Sequence, residues 1–133
     1  MSFREKSAWV MSAVLLLAGA AYLKFVIVDG VPPFLAAVPF VLLVVAGSIA
    51  AQVILAIASP REAMSAADER ERIVADRSAH FSSYVLVVGV LLGLSAFAWS
   101  QDGMNLFHTV LVCLILSQIA EYAAQIFMLR RSV

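Results

Sequence analysis

The sequence predicts an all-α integral membrane protein: a four-helix bundle built from two tandem helical hairpins, both termini cytoplasmic, forming one transmembrane domain over residues 1–133. Three observations lead there. Hydrophobic residues make up 63% of the chain and charged residues 14%, and a water-soluble domain of this size would expose too much apolar surface to stay dissolved. Four apolar runs, residues 8–28, 34–58, 81–100 and 104–129, hold the excess. At about 1.5 Å per residue, each crosses a hydrocarbon core of about 30 Å. No run alternates with the two-residue period of a membrane barrel strand, so helices are the way to satisfy the backbone in lipid. The third observation is the placement of basic residues. Arg4 and Lys6 precede the first span, Arg61, Arg70, Arg72 and Arg77 lie between the second and third, and Arg130 and Arg131 follow the fourth. The short links 29–33 and 101–103 contain no Lys or Arg, which puts them outside and the basic ends in the cytoplasm of a bacterial inner membrane.

The first span opens like a secretory signal, with Arg4 and Lys6 ahead of an apolar stretch and a small-residue site at Ala18-Gly19-Ala20. Its apolar run continues through Leu23, Phe25, Val26, Ile27 and Val28, longer than a signal core, so a transmembrane helix accounts for more of it. Lys24, the one basic residue away from the cytoplasmic side, is expected to snorkel from the helix end. In the second span, Pro39 is placed to kink the helix and leave the Leu35 carbonyl without its usual donor.

The loop 59–80 reads as a solvated helix leading into the third span. Ser59-x-x-Glu62, with Pro60 at the first helical position, and Ser65-x-x-Asp68 are successive capping signals. Asp68 with Arg72, and Arg72 with Asp76, are spaced to pair on one face, while Ala66, Ile73 and Val74 make a thin apolar stripe. Its functional counterpart is docking of a cytoplasmic partner or of anionic headgroups by Asp68, Glu69, Arg70, Arg72 and Arg77. In the third span Gly89-x-x-x-Gly93 permits close helix approach, within the chain or across a dimer. The fourth span holds Cys113, the only cysteine, which offers no intrachain disulfide and is expected to pack. Trp9, Tyr22, Tyr84 and Trp99 near span ends read as interfacial anchors.

The two halves echo each other. A shift of 73 residues places Asp29-Gly30 and Phe34 on Asp102-Gly103 and Phe107, Ala50-Ala51-Gln52 on Ala123-Ala124-Gln125, and Arg4 on Arg77. Two spans per copy means that both copies enter the membrane in the same sense, each closed outside by an Asp-Gly turn.

Glu121 is the most costly residue in the chain, because a carboxylate at mid-membrane costs roughly 3 kcal/mol on insertion scales. Ser117, Gln118, Glu121 and Gln125 fall within a sector of roughly 100° on a helix. Ser48 and Gln52 lie one turn apart on the second span, with Gln52 roughly 9 Å and Glu121 roughly 12 Å from the cytoplasmic ends. Two readings of these six residues stand side by side. One is an interhelical hydrogen-bonded clamp with a protonated Glu121; the other is a proton-coupled or cation-binding transport site. In carrying one membrane glutamate the chain is similar to the small multidrug-resistance transporters, whose glutamate lies in the first helix; here the first span, 8–28, has no acid.

Asp68-Glu69-Arg70-Glu71-Arg72-Ile73, followed by Arg77 and Tyr84-Val85-Leu86, resembles the Asp-Glu-Arg-Asp/Glu signature of small bacterial and archaeal four-span membrane proteins of unknown function. The opening Phe3-Arg4-Glu5-Lys6-Ser7-Ala8-Trp9 is similar to the Phe-x-Glu-Lys-x-x-Trp of that group, and Glu121 with Arg130-Arg131 to its closing Glu and basic pair. Leu129 and Ser132 depart from the tyrosine and glycine of the group. The resemblance implies four spans and no defined catalytic or binding residues.

A non-enzymatic role is expected. His80 belongs near the cytoplasmic face and His108 near the outer one, too far apart to share a haem or metal. No nucleophile with a base, phosphate loop or metal-ligand spacing occurs, so neither cofactor nor metal is expected. Zero net charge gives no reason for a nucleic-acid partner. The expected partners are the lipid bilayer, a second copy of the chain in a dimer and a cytoplasmic protein. The primary reading is an interaction or regulatory membrane protein working through the charged loop; the alternative is a transporter using Glu121.

Overall fold

In the computed structural model, residues 2–65 and 68–131 are described, and their regular structure is entirely helical. Ala66 and Ser132 lie outside the described residues. The elements run α1 (Phe3–Leu23), continued by a π-helical turn over Lys24–Val28, then α2 (Pro33–Ala58), α3 (Pro60–Met64), α4 (Glu69–Ser100) and α5 (Gly103–Arg131). The stretches Phe3–Val28, Pro33–Ala58, Glu69–Ser100 and Gly103–Arg131 are long and apolar enough to cross a membrane, as a multi-pass membrane protein requires.

Helix starts differ from the sequence reading for local reasons. The Ser2 hydroxyl accepts the Glu5 N–H at 3.3 Å, so α1 begins at Phe3 and takes Glu5 into its first turn, where the helix dipole favours an acid. The first helix therefore does carry a carboxylate, ahead of the apolar run. The segment expected to be a separate solvated helix is the beginning of α4, one unbroken rod of 32 residues and about 48 Å. Asp68 takes the N-cap position, and no Gly or Pro interrupts residues 69–88. Ser65 is not its cap: it ends α3, its hydroxyl donating to the Glu62 carbonyl at 2.7 Å. Pro60 does open α3 as expected, and Pro39 lies inside a continuous α2.

The two Asp-Gly pairs do different work. Asp29 ends the π-helical turn with its N–H on the Lys24 carbonyl, and Gly30 follows in the left-handed region at φ 65°, which the absence of a Cβ makes cheap. Asp102 instead starts a helix: its Oδ1 accepts the Met104 and Asn105 N–H groups at 3.0 and 3.2 Å. The left-handed residue of that link is Gln101, at φ 55°. The matching letters hide unlike backbone roles.

The chain divides into two compact units, Met1–Ala67 and Asp68–Val133. In the first, α1 packs antiparallel along α2. Ala8, Leu15, Ala18 and Tyr22 form a buried seam on α1 at the seven-, three- and four-residue spacing of a close helix pair. Tyr22 meets Phe40 edge to face with ring centroids 5.7 Å apart, and Gly47 lets Val14 approach so closely that a Cβ would sit 3.2 Å from Val14 Cγ1.

In the second unit α4 packs on α5 through small residues. Ser78, Ser82, Gly89 and Gly93 are all buried on α4, as is Ser117 on α5. The Ser78 hydroxyl donates to the Ala75 carbonyl at 2.8 Å and the Ser117 hydroxyl to the Leu114 carbonyl at 2.9 Å, so both are buried without losing a hydrogen bond. The Gly-x-x-x-Gly pair faces this same chain. A Cβ on Gly89 would collide with Cys113 Sγ and lie 2.7 Å from its Cβ; one on Gly93 would lie 3.1 Å from Thr109 Cγ2. Four residues along α4 match four along α5 in the opposite direction, and Cys113 packs, as expected, in the space that Gly89 leaves.

Candidate functional site

Polar residues inside the apolar helices are satisfied unit by unit. On α2, Gln52 is half-buried, and its amide donates to the Ser7 hydroxyl of α1 at 2.7 Å. Ser48, also half-buried, lies one turn earlier. Near this contact the Lys6 ammonium pairs with the Glu62 carboxylate of α3 at 2.8 Å. Ser7 is therefore a partner that sequence reasoning missed. A cross-helix amide to hydroxyl bond in a membrane contributes on average about 0.6 kcal/mol, whereas an exposed ion pair contributes between about 0 and 1 kcal/mol. Gln52→Ala is accordingly expected to lower the stability of the first unit by about 0.5 to 1.5 kcal/mol and Lys6→Ala by less. Reversible unfolding in mixed micelles, followed by circular dichroism, ranks the two variants.

On α5, Glu121 is half-buried and accepts the Gln125 amide at 3.4 Å, one turn along the same helix. The polar stripe is thus only partly assembled as a cluster: Ser117 is buried with its hydroxyl on its own backbone, and Gln118 is exposed. The equivalent glutamines behave differently, Gln52 reaching across to another helix and Gln125 along its own.

The charged motif forms the more extended feature. On α4, Arg70, Ile73, Val74 and Arg77 recur at three- and four-residue spacing and so share one face. That face, with Asp68 and Glu69 at the helix start, borders an open groove of about 680 Å³, closed on the other side by Phe127, Met128 and Arg131 of α5. Arg70 crosses it and donates to the Leu129 carbonyl at 3.0 Å, capping one of the carbonyls that the end of α5 leaves without an intrahelical donor. The Arg131 guanidinium lies over the Phe127 ring, 5.0 Å from its centroid. Four of the five motif residues, Asp68, Glu69, Arg70 and Arg77, therefore meet in one place. Arg72 does not line the groove: two residues from Arg70, it points about 200° around the helix and is exposed.

Phe127 and Met128 are the groove residues that sequence reasoning passed over. Ordinary apolar letters in an apolar span carry no signal until α4 is laid beside them. The acids sit at the start of α4, where the helix N-terminus favours them, with Arg70 beside them and Arg77 about two turns farther on, so the groove carries both signs of charge around apolar Ile73, Val74, Phe127 and Met128.

His80 is exposed on α4, while the His108 ring lies on α5 with Nδ1 2.9 Å from the Met104 carbonyl oxygen. The antiparallel register separates their levels by about 21 Å. Among the described residues, no three His, Cys, Asp or Glu side chains converge as metal ligands. No protein-family model matches the chain, and no curated protein or solved structure matches it either.

Proposed function

We propose that this protein is a non-enzymatic interaction or regulatory protein of the bacterial inner membrane, docking a cytoplasmic protein in the groove at the start of α4. The observation that carries this reading is the composition of the groove. Arg70, Arg77 and Arg131 stand beside Ile73, Phe127 and Met128, and arginine, aromatic residues and methionine are the side chains enriched at protein interfaces. Ile73 and Phe127 are 46% and 58% exposed, so this apolar surface is open to a partner.

The distribution of Lys and Arg supports a cytoplasmic position for the groove, both termini and α3. The two helix pairs act as tandem hairpins, and two copies form a dimer. The short motifs at the start, middle and end of the chain align it with the four-span group of unknown function, and the groove gives its Asp-Glu-Arg signature a physical use.

Charge reversal at Arg70, Arg72 and Arg77 tests the reading by affinity capture from solubilised membranes. A specific cytoplasmic protein is expected with the unaltered chain. Its recovery should fall about thirtyfold or more, the effect of losing roughly 2 kcal/mol at an interface hot spot. Finding no specific partner, or one retained by the reversed variant at equal membrane level, removes the proposal.

A further inference from the structure

The groove does not end at the charged turns. Through Arg77, Phe127 and Met128 it continues into a second cavity of about 480 Å³, floored by Ala120, Ala123 and Ala124 of α5 and walled by Phe81 of α4. We infer that this trough binds one anionic phospholipid, with the phosphate held at its mouth by Arg77 and Arg131 and an acyl chain laid along the alanine floor.

Five features support that occupant. The alanines recur at three- and four-residue spacing, so they form one smooth face of α5 with Phe127 and Arg131 on the same face. From Ala120 to Arg131 is about 16 Å, the depth of one leaflet in a core of about 30 Å. This part of α5 lies in an apolar span, where lipid rather than a soluble segment is the available ligand. The sign of the headgroup follows from charge: no acid lines the alanine-floored cavity, and at the mouth Arg70, Arg77 and Arg131 outnumber Asp68 and Glu69, while arginine offers a planar donor set matched to phosphate oxygens. Arg131 stacks on Phe127 and is thereby held near the mouth, which reduces the ordering needed to bind.

The trough shares Arg77, Phe127, Met128 and Arg131 with the groove proposed for a protein partner, but its test does not depend on that partner, since lipid selection is measurable with the purified full chain alone. The test is native mass spectrometry from detergent micelles containing equal amounts of phosphatidylglycerol and phosphatidylcholine with identical acyl chains. A single phosphatidylglycerol adduct is expected, favoured about tenfold or more, as two arginines near an anionic surface imply. Arg77→Gln combined with Arg131→Gln should bring the two lipids to parity, with helicity checked by circular dichroism. Ala123→Phe, at an exposed position that does not disturb the helix contact, should remove adducts of both lipids by filling the trough. Parity in the unaltered protein, preference retained in the double glutamine variant, or adducts unchanged by Ala123→Phe each overturn the assignment.

Discussion

Gly89→Ala is expected to destabilise the second unit by about 1 to 3 kcal/mol, the usual cost of forcing a methyl group into a packed contact. The added Cβ would meet Cys113 at both Sγ and Cβ, the latter at 2.7 Å, so a rotamer change alone cannot relieve it. That geometry orders the rescues. Cys113→Ala removes only the sulfur and should restore little, whereas Cys113→Gly removes both atoms and should restore most of the loss, less about 1 kcal/mol for glycine in a helix. Reversible unfolding in mixed micelles across the four-protein cycle is expected to show a coupling of at least about 1 kcal/mol. Independent single-site effects would mean that α4 and α5 do not meet at Gly89. The neighbouring Gly93→Ala, facing the Thr109 methyl at 3.1 Å, should cost less because a small shift accommodates it.

Phe40→Ala in the first unit is the second large effect, and its size reports on the solvent around the helices. Phe40 and Tyr22 are both buried and meet edge to face. In a water-soluble core, truncating a buried phenylalanine costs about 3 to 5 kcal/mol, much of it the transfer of apolar surface from water. Lipid tails are as apolar as the protein interior, so in a bilayer only packing and the ring pair are lost, about 1 to 2 kcal/mol. A Tyr22→Ala, Phe40→Ala cycle measured by unfolding in mixed micelles separates the ring contact from general packing. A loss above about 4 kcal/mol would show that water, not lipid, replaces the phenyl ring.

The repeat shows where matching letters stop being informative. Asp29-Gly30 terminates a helix through the backbone, whereas Asp102-Gly103 begins one through a side-chain cap, and the two dipeptides differ only in what precedes and follows them. Gln52 and Gln125 diverge in the same manner. A serine lies opposite Gln52 on α1, while a glutamate lies one turn before Gln125 on its own helix. The candidate groove was half legible. Asp68, Glu69, Arg70 and Arg77 stand out because charge is scarce in this chain, but Phe127 and Met128 do not, because nothing in an apolar run marks one apolar residue as facing a groove.

What the sequence determined by itself is therefore the helical class, the four long apolar stretches and the scarcity of polar groups within them. Each follows from composition and from the requirement that backbone groups in lipid be bonded within their own segment. Tertiary structure decided which faces meet: Gly89 against Cys113, Tyr22 against Phe40, Ser7 with Gln52, and the start of α4 beside the end of α5. A soluble helix announces its buried face by being apolar there and polar elsewhere. A membrane helix is apolar all round, so hydrophobicity cannot single out the packed face, and the choice falls to steric fit between small and large side chains on segments far apart in sequence.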